Sequence, residues 1–316
     1  MKIYKAEQLI RILEGKEGIC NGMTIDEISD KYENFKGSDK SLLRSIVKLF
    51  SDMEYTEDYL AVLNELLNDK RVRNIMRKGF GGNWGDTTIK VSTDTTVRTD
   101  AVQPTQNEID MTKSLKWGLM NFKGTIDKQI HAEPPMLKGV PIVTFNRKYI
   151  IDGHHRWSQI YCFNKIRNGE PTKFAAINLV NTDLEPIDIL KITQTTIGLD
   201  LHPEEIEPHV TTENPKNNLL NKQCDEKTLR EFIDKNATDD TVELMTKFHK
   251  EDGVKDRNSF IDFVLQNCLE MKDKNNCIED APNRGAMPQT DVDNKLLKNI
   301  KRTSDVSQRE RNRKQN

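Results

Sequence analysis

Five consecutive residues, Asp152-Gly153-His154-His155-Arg156, gather a carboxylate, two imidazoles and a guanidinium around one glycine. Those types suit an anionic ligand. Arginine offers a planar fork that can grip two oxygens of a phosphate, histidine can donate or exchange a proton near neutral pH, and the free N–H groups at a helix start favour negative charge. Phosphate is therefore the expected ligand, with Gly153, His154 and Arg156 binding it and His155 acting as acid or base. Asp152 either holds the turn by accepting backbone N–H groups or orients an imidazole or a magnesium-bound water. The bland alternatives are a solvated arginine and two histidines engaged in packing.

The neighbouring sequence supplies elements to position these groups. Lys148-Tyr149-Ile150-Ile151 reads as a strand, Gly153 as a sharp turn, and His154 to about Arg167 as a helix. Upstream, Thr88–Val91 is a plausible strand and Glu108–Phe122 a helix. Pro141–Phe145 is a second strand, joined through an Asn146-Arg147 turn to the strand that precedes the motif. Lys173–Val180 is the clearest buried strand, and a helix from about Pro186 to Gln194 closes the unit. Strands and helices in this order predict a compact α+β domain on a small mixed sheet.

Helices are expected on both sides. No proline occurs before Pro104, and apolar stripes such as Ile3, Leu9 and Leu13, then Leu42, Ile46 and Phe50, predict a helical bundle over residues 1–78. Thr24-Ile25-Asp26-Glu27 has the form of a capping box. A helix-turn-helix with Lys40, Arg44 and Lys48 on its second helix competes there with an ordinary wet helix face. Residues 79–100, with a glycine-rich Phe80–Gly85 stretch, read as a linker leading into the first strand. Residues 201–294 read as a helical appendage with helices over Lys227–Lys235, Asp240–Lys250 and Ser259–Lys272. Ala281–Gln289 is either a plain loop or an extended peptide that brings Arg284 near the central site. Residues 295–316 carry eight Lys/Arg against two acids and read as a basic, disordered tail.

Composition narrows the classes. With 35% apolar and 31% charged residues the chain has material for a modest core, and no apolar run nears the ~18 residues of a membrane span. No signal segment follows Met1–Glu7. Five cysteines without metal-ligand spacing argue against a disulfide framework or a zinc site, so a cytoplasmic setting is expected. A net charge of −2 leaves nucleic-acid attraction to local patches, namely Lys70–Lys78 and the tail. Cations at a helix C-terminus explain the first patch equally well.

Asp152–Arg156, followed by Trp157 and Ser158, resembles the signature of the ParB/sulfiredoxin superfamily, in particular its phage-type ParB-like domains. Val102-Gln103-Pro104-Thr105-Gln106-Asn107-Glu108-Ile109 resembles the segment that opens that domain, and Leu184-Glu185-Pro186-Ile187-Asp188 is similar to a stretch of chromosome-partitioning ParB proteins. The resemblance covers about residues 88–200 and implies the fold named above, with the domain proper over residues 101–200. It implies that Arg156 contacts phosphate, that Gln106 and Glu108 face the ligand with Glu108 as a candidate general base, and that ATP or CTP is a ligand or substrate. Magnesium would sit between phosphate and Asp152 or Glu108. Two departures matter. Sulfiredoxins carry a cysteine where His154 stands, so sulfur chemistry is not expected, and Leu179–Asp183 lacks the Glu and Arg that partitioning ParB proteins place there.

The leading expectation is thus a phage-encoded, ParB-like protein that binds nucleotide or phosphodiester, with nuclease or nucleotide-hydrolysing activity, in the host cytoplasm or the virion. The alternatives are a non-catalytic DNA-binding adaptor and a structural virion protein that keeps the fold. The sequence sets no oligomeric state.

Overall fold

The computed structural model describes residues 25–39, 90–127, 141–182, 211–212 and 214–273, intermittent positions within 41–74 and 185–190, and Arg284 and Met287. The chain folds as two compact units, one of residues 1–90, 181–210 and 282–316, the other of residues 91–180 and 211–281.

In the first unit, helix α1 (Ile25–Glu33) buries Ile28 and Tyr32, four apart on one face, and the Tyr32 hydroxyl donates to Ser45 O at 3.1 Å. Leu42, Ile46 and Leu49 recur at helical spacing and are buried. Ser38 caps the segment they occupy by accepting the Ser41 N–H. Arg71, part of the expected basic cluster, is an internal clasp whose Nε donates to Asp39 at 3.1 Å and Nη2 to Gly37 O at 2.6 Å. Lys40, Arg44, Lys48, the Phe80–Gly85 stretch and the basic tail lie outside the described residues. Of the expected Pro186–Gln194 helix, residues 186, 187, 189 and 190 are described and helical.

The second unit is mixed α+β. Its strands are β1 (Lys90–Arg98), β2 (Gln103–Pro104), β3 (Ile142–Phe145), β4 (Tyr149–Asp152), β5 (Ile166–Arg167), β6 (Glu170–Pro171) and β7 (Lys173–Val180). Five form one mixed sheet in the order β1-β7-β3-β4-β2, in which β3 runs parallel to β7 and antiparallel to β4 while β2 runs parallel to β4. Residues 174–179 of β7 are all buried, as an apolar strand covered on both faces requires. The β3–β4 turn forms where the sequence placed it. Asn146 and Arg147 have φ of 49° and 57°, and the Lys148 N–H closes onto Phe145 O at 3.0 Å.

Two helix boundaries differ from expectation. Helix α3 (His154–Asn164) stops three residues before Arg167 because Asn168-Gly169, with φ of 53° and 75°, folds Ile166–Arg167 against Glu170–Pro171 as a second small hairpin. The helix expected from Glu108 begins at Met111, winds as a π-helix over Thr112–Lys116 and continues as α2 (Trp117–Met120). Gly118 lets α2 approach α3 closely, since a Cβ there would fall 2.5 Å from the Phe163 ring.

Helices α4 (Glu226–Asn236), α5 (Asp239–Phe248) and α6 (Arg257–Asp273) match the three C-terminal helices read from sequence. Asp225 and Thr238 cap α4 and α5 by accepting the N–H groups of Thr228 and Thr241. They do not form a separate appendage. Leu229, Ile233, Met245 and Phe260 belong to the same apolar cluster as Leu119 and Phe163. Along α3 and α6 the Cys162 and Cys268 thiols lie 3.3 Å apart, the Asn267 side chain donates to Cys162 O at 3.0 Å, and Lys165 pairs with Glu270.

Candidate functional site

The junction of β4 and α3 is built on the backbone of Gly153. Its φ of 93° is a left-handed conformation in which a side chain would be strained, and a Cβ there would fall 2.7 Å from Ile142 Cγ2 and 2.8 Å from Arg156 Nη2. The guanidinium therefore lies folded against the glycine. Arg156 Nη2 donates to Asp152 Oδ2 at 2.7 Å and to Pro141 O at 3.3 Å, whereas its Nε is buried with no hydrogen-bond partner. Both side chains remain partly open, 19% and 26% exposed.

The two histidines reach away from this pair to the 103–110 segment. His154 is buried, and its Nε2 accepts the Thr105 N–H at 3.1 Å while the Thr105 hydroxyl donates to Ile150 O at 2.6 Å. His155 is half-buried, and its Nε2 accepts the Asp110 N–H at 3.3 Å. An acceptor nitrogen carries no proton, so the proton of each neutral ring is on Nδ1. Both rings act as struts between α3 and the segment before α2. Two side chains further along α3 extend the same seam, as Ser158 Oγ donates to Ser114 Oγ at 2.8 Å and Gln159 Nε2 to Lys113 O at 2.9 Å.

The structure thus joins Thr105–Glu108 and Asp152–Arg156, the two motifs that the sequence set about fifty residues apart. It also engages their functional groups internally. Gln106 is buried and donates to Glu108 O at 2.6 Å, and Glu108 is buried and accepts the Thr212 N–H at 2.8 Å. Asn218 completes the brace by accepting the Ile109 N–H at 3.0 Å and donating to Asn107 O at 3.1 Å. Asp152 and Glu108 are both engaged within the chain. One is paired with an arginine and the other holds a backbone amide, and among the described residues no group of three or more His, Cys, Asp or Glu side chains converges. Leu184–Asp188 falls in the other unit, and Leu184 and Asp188 lie outside the described residues.

Sequence reasoning missed a cavity of about 240 Å³ lined by Asp100, Val102, Gln103, Pro104, Trp157 and Tyr161. Trp157 and Tyr161 are one turn apart on α3, their ring centres separated by 5.4 Å, and that aromatic spacing was the available signal. The Tyr161 hydroxyl is buried without a partner, and burial, reinforced by Glu270, holds its pKa well above the ordinary tyrosine value. None of the residues chosen from sequence lines this cavity.

A buried histidine–carboxylate hydrogen bond brings the Asn168-Gly169 turn to the C-terminal helices. His249 Nδ1 lies 2.9 Å from Asp252 Oδ2, and Asp252 also accepts the Asn168 and Gly169 N–H groups at 3.1 and 2.9 Å. Burial lowers the His249 pKa despite the opposing pull of Asp252. Burial alone would raise the Asp252 pKa, but the His249 hydrogen bond and the two backbone amides outweigh it and hold it below the usual carboxylate value.

Comparison of the chain with family models, with curated proteins and with solved structures returned no match. Among the described residues no helix is long and apolar enough to cross a membrane.

Proposed function

We propose that the β4–α3 junction binds a phosphate-bearing ligand, a nucleotide such as ATP or CTP or a nucleic-acid phosphodiester, and that Asp152 holds Arg156 in place while the ligand is absent. The observation that carries this reading is the Arg156–Asp152 pair folded over a left-handed glycine at the start of an eleven-residue helix, with the arginine Nε buried and unpartnered. A carboxylate at 2.7 Å stands where a phosphate oxygen would bond, and an incoming phosphate can replace it and also take up the unused donor. The resemblance of Val102–Ile109 and Asp152–Arg156 to phage-type ParB-like domains points the same way.

Binding without turnover is the reading the side chains favour. Nuclease or nucleotide-hydrolysing activity at this place needs a base, and His155 Nε2 already accepts the Asp110 N–H while Glu108 accepts that of Thr212. Magnesium, if the ligand needs it, would arrive on the phosphates. Isothermal titration of ATP, CTP and pyrophosphate, each with and without magnesium, tests the proposal. Arg156→Ala should weaken binding at least about tenfold, the loss expected for one charged hydrogen-bonding group. Equal binding by the variant and the parent protein would remove the basis for the reading.

A further inference from the structure

Met111–Ile126 contains three lysines and no acidic residue. Burial sorts this stretch into two sets. Ser114, Leu115, Gly118, Leu119 and Phe122 are buried, whereas Lys113, Lys116, Trp117 and Met120 are exposed, as is Lys123 beyond the helix break at Asn121. Trp117 is 61% and Met120 45% exposed, and they are the exposed large apolar side chains among the described residues. An open tryptophan is unusual, because the indole is normally one of the more buried side chains. The three lysines make no ion pair with any described residue. Asp110 caps the segment by accepting the Lys113 N–H at 2.7 Å, and at the far end Asp239, beside Thr238, pairs with Arg257.

We propose that this face docks single-stranded nucleic acid, Trp117 stacking on a base and Lys113, Lys116 and Lys123 neutralising phosphates. Three cations that form no ion pair with a described residue match a phosphate backbone, and one exposed aromatic between them matches a base plane. An anionic membrane fits less well, since two apolar side chains do not form the continuous apolar stripe of an interfacial helix. The seam from Gln159 to Lys113 O connects this segment to α3, yet the docking face does not depend on the phosphate site at Arg156.

The test is fluorescence anisotropy of a labelled oligothymidylate over a salt series. Trp117→Ala should weaken binding roughly tenfold and Trp117→Phe should restore most of it, because stacking tolerates any aromatic ring. Lys113→Gln/Lys116→Gln/Lys123→Gln should make the salt slope shallower by about two, the figure for three phosphates on a single strand. Trp117→Ala and the triple lysine variant should bind pyrophosphate as the parent protein does, which separates this face from the phosphate site at Arg156. Lys113, Lys116, Trp117 and Lys123 are all exposed positions, and matching thermal melts would show that the variants fold. The proposal is overturned if the parent protein binds no oligonucleotide at low salt, or if the Trp117 and lysine variants bind as the parent does. It is equally overturned if Arg156→Ala alone abolishes binding, or if Trp117→Ala changes only sedimentation with anionic vesicles.

Discussion

The β4–α3 junction and the exposed side of Lys113–Lys123 lie in the same compact unit and treat their polar groups in opposite ways. At the junction every side chain that drew attention by its type is engaged. His154 and His155 accept backbone amides, Glu108 holds Thr212, Gln106 holds the Glu108 carbonyl, and Asp152 holds Arg156. Over Lys113–Lys123 the three lysines and Trp117 are exposed, and the lysines form no ion pair with a described residue. Residue type therefore says what a group can do, and burial with hydrogen bonding says whether it is available. At the junction the remaining capacity is concentrated in Arg156, whose Nε lacks a partner.

Among substitutions that probe this contrast, His154→Ala should cost the most. It leaves the buried Thr105 N–H unpaired and opens a void, so urea denaturation should show a loss of about 2–3 kcal/mol. A loss as small as that of an exposed α2 position would mean that the ring is no strut. Gly153→Ala comes next, at about 1–2 kcal/mol for a side chain forced into the left-handed region, with added displacement of Ile142 and Arg156. It should lower affinity for pyrophosphate as well as stability, which a purely structural glycine would not.

A pH series extends the contrast to His249–Asp252. The folded-state pKa of His249 lies below its unfolded value near 6.5, so the unfolded chain binds more protons in the interval between them. Stability contributed by the neutral ring is present above about pH 6.5 and is lost as pH falls below it. Asp252, depressed in the folded state, adds a loss at more acidic pH, as pH falls through its lowered pKa. His249→Gln should flatten the dependence of the urea midpoint between about pH 5 and 7, and an unchanged slope would assign the effect elsewhere. Smallest of all, Trp117→Ala should shift stability by under about 0.5 kcal/mol, as an exposed side chain outside the core does.

The sheet and the C-terminal helices were legible because their patterns are local. After its first residue β7 is an apolar run broken only by Asn178, the Asn146-Arg147 turn sits between two largely apolar segments, and α4 and α5 carry capping residues before their apolar stripes. The Asn168-Gly169 hairpin was also written in the sequence. The helix pattern from His154 extends over Ile166–Arg167, the first strand of that hairpin, although Asn-Gly directly after it is a strong turn signal. The shared core of α4–α6 with the sheet was not legible, since an amphipathic stripe shows that a helix packs and not on what. The histidine roles were hidden for a similar reason. Adjacent imidazoles suggest a site, but Thr105 and Asp110, which they serve, lie 49 and 45 residues away in the chain.

If Asp152 occupies Arg156 in place of a phosphate, calorimetric titration of Asp152→Asn with pyrophosphate beside the parent protein should reveal it. Removing the competing charge while keeping the side-chain shape should tighten binding several-fold at low salt, and the gain should disappear in Asp152→Asn/Arg156→Ala. Unchanged or weaker binding by Asp152→Asn would contradict the account.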